Sequence, residues 1–312
     1  MAQLEKLEFY VKPLSPFRLD LTAWALRRRQ SNMVDRFDGL RYQRVITSDE
    51  KALGMSVIQT GSIERARLKV EITGKRLGSA ESRVAQKYLE LLLGLRIDLR
   101  RFYESARLNP KFGDLARRFL GVKAPRFPSI FEALVNAISC QQVSLTVGLL
   151  LMNRLAQNYG PRLSDQTSAV AFPRPQDLSK LKQDTLRKFG FSVRKSRYII
   201  GLARSIVDGR VNLENISGMK DDEALDYLQQ IPGIGRWSAQ YALLRGLGRL
   251  HRFPADDIGA QNGLKRLMGL RKRPDYQRTS ELLESLQPYA GLVYFHLLLN
   301  RLDQEGLLKS KI

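Results

Sequence analysis

The sequence contains few of the residues from which proteins build disulfides and metal centres. Its 312 residues include one cysteine, Cys140, and two histidines, His251 and His296. A single cysteine excludes an internal disulfide and a four-cysteine iron–sulfur cluster. Two histidines without further cysteines do not predict a zinc site. We therefore expect a protein of a reducing compartment that holds no iron–sulfur cluster and no zinc.

Long apolar runs are also missing, and acidic residues are outnumbered. No run approaches the length of a membrane span, and the N-terminus has no signal-peptide core. The 52 Lys and Arg residues exceed the 31 Asp and Glu residues, which gives a formal net charge of +21. Such an excess favours a polyanionic partner, and nucleic acid is the first candidate. We expect an intracellular protein of the cytoplasm and nucleoid, or of the nucleus if its source is eukaryotic, that is not secreted and binds no membrane.

The hydrophobic pattern divides the chain into two predicted domains. Residues 1–105 combine four segments of alternating polarity with two helical patterns, which predicts a small antiparallel sheet covered by helices. Residues 106–312 follow a helical period almost throughout. The fold class is therefore mainly α with an N-terminal α+β domain. The predicted strands are Leu7–Val11, Leu40–Thr47, Met55–Thr60 and Arg67–Ile72, and the predicted helices of the first domain are Leu19–Arg29 and Ala80–Leu95.

The second domain is organised around a turn between two helical patterns. The turn has the sequence PGIG at 232–235. Proline ends the first helix, and Gly233 and Gly235 can adopt backbone angles closed to other residues and let a large partner approach the main chain. The second helix begins at about Arg236, so its free N–H groups and its dipole attract an anion. In so basic a chain, we expect this anion to be a nucleic-acid phosphate.

Two aspartates follow the second helix at a distance that returns them to the turn. A helix over 236–247 carries the chain roughly 18 Å away. Residues 248–255, if extended, reach about 26 Å and can bring Asp257 back beside the hairpin. The ordinary role of Asp256 or Asp257 is to cap the helix predicted to follow. We expect one of the two to do so.

These motifs resemble those of the helix-hairpin-helix DNA glycosylases of base excision repair. The resemblance lies in LQQIPGIGRWSAQYALL at 228–244 and FPADD at 253–257, and it is greatest for the 3-methyladenine DNA glycosylase II (AlkA-like) branch. The hairpin at 228–238 is shared by many non-catalytic DNA-binding proteins, whereas the hairpin joined to an aspartate at this separation is a strong signal of a glycosylase. The resemblance implies a helical HhH-GPD body preceded by a small sheet domain.

The resemblance also implies a reaction and its catalytic residue. Asp257 matches the catalytic carboxylate, so Asp256 becomes the expected helix cap. A carboxylate beside C1′ stabilises an oxocarbenium-like transition state and orients or deprotonates the attacking water, once the base has left the stack. In bifunctional relatives a nucleophilic lysine follows the second hairpin glycine by two residues. Here that residue is Trp237, so we predict hydrolysis without AP-lyase activity.

Aromatic residues near the hairpin suggest the substrate. Trp237 and Tyr241 share a helix face, where core packing is the common role. The resemblance instead places them in the base pocket, with Tyr289 and Trp24 as further candidates. Electron-rich rings attract cationic bases by roughly 0.5–2 kcal/mol. We therefore predict excision of 3-methyladenine- and 7-methylguanine-type alkylated bases from duplex DNA. The alternatives are a glycosylase for deaminated or oxidised bases and a non-catalytic lesion-sensing protein, which would have no need of Asp257.

Predicted DNA contacts come from the hairpin and from a second loop. The sequence FEALVNAISCQQVS at 131–144 resembles the family's loop that fills the gap left by the extruded base. Gln142 is the candidate wedge, and helix capping by the two amides is the alternative. The predicted DNA-binding residues are Gln141, Gln142, Gly233, Ile234, Gly235, Arg236 and Ser238.

The family hairpin also suggests a bound ion. It often holds a monovalent cation, Na+ or K+, through backbone carbonyls, and Gln229, Ile231 and Gly233 match those positions. Side-chain identity carries no information about carbonyl ligands, so this expectation rests on the resemblance alone. No sequence feature indicates oligomerisation, and we expect a monomer that binds double-stranded DNA containing damaged bases.

Overall fold

The computed structural model describes residues 4–48, 51–164 and 167–308. Over these residues a five-stranded sheet precedes a helical body. The strands are β1 (Glu5–Val11), β2 (Arg36–Phe37), β3 (Arg41–Ser48), β4 (Lys51–Thr60) and β5 (Arg67–Gly74). The helices are α1 (Leu19–Arg27), α2 (Ser79–Leu92), α3 (Arg100–Arg107), α4 (Pro110–Arg118), α5 (Ile130–Cys140), α6 (Leu145–Tyr159), α7 (Pro175–Ser179), α8 (Val193–Val207), α9 (Asp221–Gln229), α10 (Arg236–Arg245), α11 (Ile258–Met268), α12 (Tyr276–Leu282) and α13 (Ala290–Gln304).

The sheet is antiparallel throughout, in the order β1-β5-β4-β3-β2. Along β5, Leu68, Val70 and Ile72 are buried while the residues between them are partly exposed. Because side chains alternate between the two faces of a strand, this pattern turns one face of the sheet towards a core. Helices α1 and α2 cover that face. The predicted fold class and the four predicted strands are confirmed, and the two-residue β2 is an addition.

The helical body contains two hydrophobic cores. One surrounds α5 and includes residues of α6, α8, α9 and α10, and the other surrounds α13 and includes residues of α3, α4 and α11. Helix α1 contributes to the sheet core and to the α13 core, so it joins the two parts of the chain. The boundary at residue 105 stays a prediction; it falls inside α3, whose Phe102 and Ala106 pack in the α13 core. In the part of the chain described, no helix combines the length and apolarity of a membrane span.

A buried ionic cluster connects the sheet to the body. Arg44 on β3, whose side chain is 1% exposed, donates to Asp35 Oδ1 at 2.7 Å and to both carboxylate oxygens of Glu132 at 2.6 Å. Tyr42 donates to the same Asp35 oxygen at 2.7 Å. Glu132 lies in the first turn of α5. Removal of these charges from water is unfavourable, so the cluster is stable only while its members remain paired.

Removal of Arg44 should therefore destabilise the protein strongly. We expect Arg44→Met, which leaves two buried carboxylates without their cation, to lower the free energy of unfolding by about 3–5 kcal/mol in urea titrations. The control is Arg278→Met, because the Arg278–Glu281 pair is 57% and 45% exposed. The control should lose less than about 1 kcal/mol. Similar small losses in both variants would show that the buried cluster contributes nothing to stability.

His296 on α13 is buried against the ring of Phe102, with ring centroids 5.0 Å apart. Its Nδ1 donates to the Leu292 carbonyl at 2.8 Å, and in the described structure its Nε2 has no hydrogen-bond partner. Burial lowers the pKa of the imidazole from 6.5 to about 4. The folded state therefore holds His296 neutral across the mildly acidic range.

This histidine should make stability depend on pH. Because its folded pKa lies below its unfolded pKa, its contribution is complete above about pH 6.5 and is lost as the pH falls towards about 4. A shift of this size corresponds to roughly 3 kcal/mol. Unfolding by denaturant at about pH 7 and about pH 4.5 should show a smaller loss of stability in His296→Leu than in the wild type. Equal losses would assign the pH dependence to other groups.

Candidate active site and DNA interface

The turn between α9 and α10 has the conformation that its glycines permit. Gly233 has a φ of 89°, and a Cβ atom there would lie 2.3 Å from the Tyr198 ring on α8. Only glycine therefore fits at this position. Gly235 has a φ of −94° and a ψ of 179°, which any residue adopts, so the expectation of a special backbone angle there is wrong. Its hypothetical Cβ meets no atom of the described chain within 4 Å, which leaves this side of the turn open to a partner.

The N–H groups of the turn differ in availability. Ile234 is buried, and its N–H donates to the Ile231 carbonyl at 3.0 Å. Among the described residues, the N–H groups of Gly233 and Gly235 have no such acceptor. Together with the first turn of α10 they form a set of donors at a helix N-terminus, which favours an anion. The two N–H groups without an acceptor, those of Gly233 and Gly235, thus flank the hydrogen-bonded N–H of Ile234.

The structure reverses the capping role expected for the two aspartates. Asp257, not Asp256, caps α11: its Oδ1 accepts from the Ala260 N–H at 2.8 Å. Asp256 instead accepts from Arg236, with Nε at 2.6 Å and Nη2 at 3.1 Å. Asp257 directly precedes the first helical residue, Ile258, and this is the position from which a side chain reaches the free N–H groups. Arg236, a predicted DNA contact, is thus already paired with a carboxylate.

The second oxygen of Asp257 faces an aromatic cluster formed by Trp237, Tyr241 and Tyr294. Asp257 Oδ2 accepts from the Trp237 indole N–H at 3.0 Å and from the Tyr294 hydroxyl at 3.2 Å. The Trp237 and Tyr241 ring centroids are 5.5 Å apart, and those of Tyr241 and Tyr294 are 6.4 Å apart. Burial raises the pKa of both tyrosines, so their hydroxyls remain protonated at neutral pH. The Asp257 carboxylate is therefore oriented by three uncharged donors, which are the Ala260 N–H, the Trp237 indole N–H and the Tyr294 hydroxyl.

Tyr294 is the member of this cluster that the sequence analysis missed. The signal that could have indicated it is that Tyr294 is the one tyrosine within the apolar pattern of α13. Tyr289 directly precedes α13, and Trp24 lies beneath the Arg27 guanidinium at 5.5 Å. Within the described residues, neither ring pairs with a ring of the aromatic cluster. The structure brings together Asp257, Trp237 and Tyr241 of the predicted residues. Tyr289 and Trp24 pack, like Tyr294, against the α13 core, and their place in the base pocket stays a prediction.

The loop after α5 is hydrogen-bonded to the hairpin. Gln141 Nε2 donates to the Gly233 carbonyl at 2.9 Å and to Ser238 Oγ at 3.0 Å. Capping of α5 by this amide would require hydrogen bonds to the carbonyls at the end of α5. The Gln141 amide bonds the hairpin instead. Lys195 Nζ on α8 donates to the Ser139 carbonyl at 2.9 Å. Gln142 is exposed and has a φ of 52°, a conformation that is unfavourable for residues other than glycine.

The segment that carries the aspartates is held by a second ionic cluster. Asp221, at the start of α9, accepts from Arg249 at 2.6 Å and also bonds His251 and Arg252. Burial tends to raise the pKa of Asp221, but hydrogen bonds from these three side chains lower it to about 2. The segment between α10 and α11 is therefore fixed to the helix that precedes the hairpin. Turns at 246–247, 250–251 and 255–256 interrupt it. The prediction that residues 248–255 are extended is therefore wrong.

Two of the three predicted cation ligands, Ile231 and Gly233, lie in the turn between α9 and α10. The Ile231 carbonyl accepts from the Ile234 N–H, and the Gly233 carbonyl accepts from Gln141. A carbonyl oxygen has two lone pairs, so each retains one for a cation. Gln229 is the last residue of α9. The described residues contain no group of three or more His, Cys, Asp or Glu that could hold a metal ion.

Comparisons with known proteins show the family to which the chain is similar. Residues 135–288 match the model of the HhH-GPD superfamily of base excision DNA repair proteins. The chain is 30% identical over 212 residues to the DNA-3-methyladenine glycosylase of Bacillus subtilis, across 68% of this chain and 70% of the relative. It is 35% identical over 150 residues to DNA-3-methyladenine glycosylase 2 of Escherichia coli, across 48% of this chain and 52% of the relative.

A solved structure extends the likeness to the whole fold. The 3-methyladenine DNA glycosylase from Archaeoglobus fulgidus superposes with a TM-score of 0.83 at 25% sequence identity, across 97% of this chain and 100% of the other. The likeness therefore includes the N-terminal sheet as well as the helical body. The chain belongs to the HhH-GPD superfamily of base excision DNA repair proteins and, within it, to the DNA-3-methyladenine glycosylase family.

Proposed function

We propose that this protein is a monofunctional DNA glycosylase that excises alkylated bases, of the 3-methyladenine and 7-methylguanine type, from duplex DNA in base excision repair. The observation that carries the proposal is the Asp257 carboxylate, oriented by Trp237 and Tyr294 beside the hairpin. Capping of α11 uses only Oδ1 of Asp257, and binding of phosphates needs no carboxylate oxygen that faces the aromatic cluster. The names of the Bacillus subtilis and Escherichia coli relatives support the substrate class.

The proposed reaction is hydrolysis at C1′. The bond between C1′ and the base breaks, and its electron pair stays with the base. The oxygen of a water molecule forms the new bond to C1′. Asp257 stabilises the positive charge that develops on the sugar and accepts the proton of the water. Its hydrogen bonds to Ala260, Trp237 and Tyr294 hold the carboxylate in place, so little reorganisation is needed when this charge appears.

The aromatic cluster is the proposed base pocket. The rings of Trp237 and Tyr294 are partly exposed, and that of Tyr241 is buried against them. Electron-rich faces attract a methylated purine that carries a positive charge. A cationic base also leaves as a neutral molecule and needs little help from a general acid. The rings thus suit the alkylated bases for which the relatives are named.

DNA binding is proposed to combine backbone and wedge contacts. The N–H groups of Gly233 and Gly235 and the N-terminus of α10 would bind a phosphate without reading sequence. Gln142, exposed and with its positive φ, would enter the gap left by the flipped base. Val143 beside it is 40% exposed and supplies the apolar surface that such a wedge needs. With a net charge of +21, affinity should fall steeply with salt concentration.

Substitution of Asp257 tests the catalytic assignment. Asparagine keeps the capping oxygen of Asp257 but not its charge, so Asp257→Asn should fold and still bind duplex DNA. We expect it to release bases from methylated DNA at least about 100-fold more slowly, by chromatography of the released bases. Asp256→Asn is the matched control and should lose less than about tenfold, since Asp256 bonds Arg236. Normal release by Asp257→Asn would remove Asp257 from the reaction.

The absence of lyase activity is a separate prediction. Position 237 carries an indole, which cannot form a Schiff base with an abasic site. Duplexes with an abasic site should therefore remain intact on incubation with the purified protein until alkali is added. Borohydride should trap no covalent complex. Efficient cleavage or trapping would show that another amine reaches C1′, and Lys195 would be the first to substitute because it bonds the end of α5.

A further inference from the structure

A groove with a volume of about 940 Å³ lies between the sheet domain and the helical body. It is lined by β3 and α2 of the sheet domain, by the first turn of α5, by residues 171–176 and by the segment that follows α8. Of the described residues that line it, none is proposed above for catalysis or for DNA contact. Boundaries between domains are frequent sites for ligands. The groove is therefore a candidate second site.

Three helices place this groove on the face away from the hairpin. Helix α5 begins in the groove at Ile130 and leads over 11 residues, roughly 16 Å, to Gln141, which bonds the hairpin. Helix α10 begins at the hairpin and ends directly before Gly246 of the groove. Helix α8 begins near the end of α5, which Lys195 bonds, and reaches the groove at Ile206. A duplex on the hairpin and a ligand in the groove can therefore be bound together.

The floor of the groove contains apolar side chains that the two domains leave partly uncovered. Covering such surface is favourable by about 25 cal/mol for each Å² removed from water. The floor therefore suits a partner with apolar side chains. The partly exposed apolar residues are Leu91, Pro128, Ile130, Pro175, Ile206, Val211 and Leu247.

Two cations of the groove lack a carboxylate partner in the part of the chain that the structure describes. Lys87 on α2 is exposed, and Arg126 is partly buried, with its Nη1 donating to the Leu247 carbonyl. Neither takes part in an ion pair. Burial lowers the pKa of the Arg126 guanidinium, and no carboxylate offsets this effect.

The other charged groups of the groove do not need a ligand. Arg44 and Arg174 are each paired with a carboxylate of the chain. Glu214 is exposed and hydrated by solvent, whereas Arg126 is partly desolvated without a counter-charge. A carboxylate from a ligand would supply this counter-charge through a charge-assisted hydrogen bond.

The charge of the whole chain decides between the candidate ligands. A second copy of the chain also carries a net charge of +21 and is repelled. A nucleic acid requires a row of cations along its phosphates, whereas the groove offers two without a partner. A segment of another protein with both apolar and acidic side chains matches the floor and the two cations.

We propose that the groove is a docking site for an acidic peptide segment of another protein, which binds while the hairpin holds DNA. Apolar side chains of the segment cover the floor, and one of its carboxylates bonds Arg126 and Lys87. The docking does not depend on the reaction at Asp257 or on the identity of the damaged base.

Selection from a displayed library of random peptides tests the proposal. The target is the full chain bound to a duplex with an abasic-site analogue, which covers the hairpin face. We expect the selected peptides to combine apolar residues with Asp or Glu. In anisotropy titrations, Lys87→Gln/Arg126→Gln should bind a selected peptide at least about tenfold more weakly. The control Lys75→Gln/Arg76→Gln removes the same charge from exposed positions outside the groove and should change the affinity less than about twofold.

A double-mutant cycle identifies the contact itself. Replacing the acidic residue of the peptide by its amide should weaken binding to the wild type at least about tenfold, and binding to the double variant by less than about twofold. Should Arg126→Gln unfold, the exposed position Lys87 decides alone: Lys87→Glu should weaken binding of the acidic peptide more than Lys87→Gln, and should not weaken binding of the amide form.

Three results would overturn the proposal. They are the selection of no peptide, the selection of peptides whose affinity is the same for the double variant, and displacement of the duplex by the peptide, which would place it on the DNA face. Release of bases from methylated DNA should be equal in the wild type and in all these variants. No release by the wild type would reject the proposed function and leave the docking result standing.

Discussion

The hydrogen bond from the Trp237 indole to Asp257 is the contact around which the proposed active site is arranged. It joins the first turn of the hairpin helix α10 to the residue that begins α11, across 20 positions of sequence. The neighbouring pair of Arg236 and Asp256 joins the same two elements, and the cluster at Asp221 fixes the segment between them. The carboxylate therefore holds its position relative to the hairpin, which is the proposed phosphate-binding element. A change in the direction of α10 would displace the Asp257 carboxylate and the hairpin together.

The N-terminal sheet contributes to this site as well as to stability. Arg44 on β3 is paired with Glu132 in the first turn of α5, and the last turn of α5 leads into the loop of Gln141. Arg28, directly after α1, reaches Tyr241. The sheet domain thus fixes one end of α5 and supplies a charge behind the base pocket. This arrangement gives a physical reason for a sheet domain attached to a body that already contains the hairpin and the aspartate.

Much of the fold could be predicted from the sequence, because alternation and helical periodicity report burial directly. The strands and the hairpin followed from these patterns, while β2 is too short to form one. The catalytic role of Asp257 was predicted from its motif and stays a prediction. The capping assignment was wrong because both aspartates satisfy the local preference, and the contact of Asp256 with Arg236 decides between them. Tyr294 was missed because its neighbours define an apolar helix face. Arg28 stands in a run of three arginines, and only the tertiary structure separates a buried cation from solvated ones.

The close packing of Gly233 against Tyr198 affects how the protein would examine DNA. Because Gly233 has no side chain, the hairpin lies directly on α8, whose Lys195 holds the end of α5. The hairpin and the loop of Gln142 consequently belong to one rigid unit with a fixed spacing. The conformational entropy of aligning them is lost during folding and not at each encounter with DNA. The proposed pair of DNA contacts, already preorganised, would therefore test successive base pairs without rearrangement of the protein. Resistance of the duplex to deformation would then distinguish damaged from intact DNA.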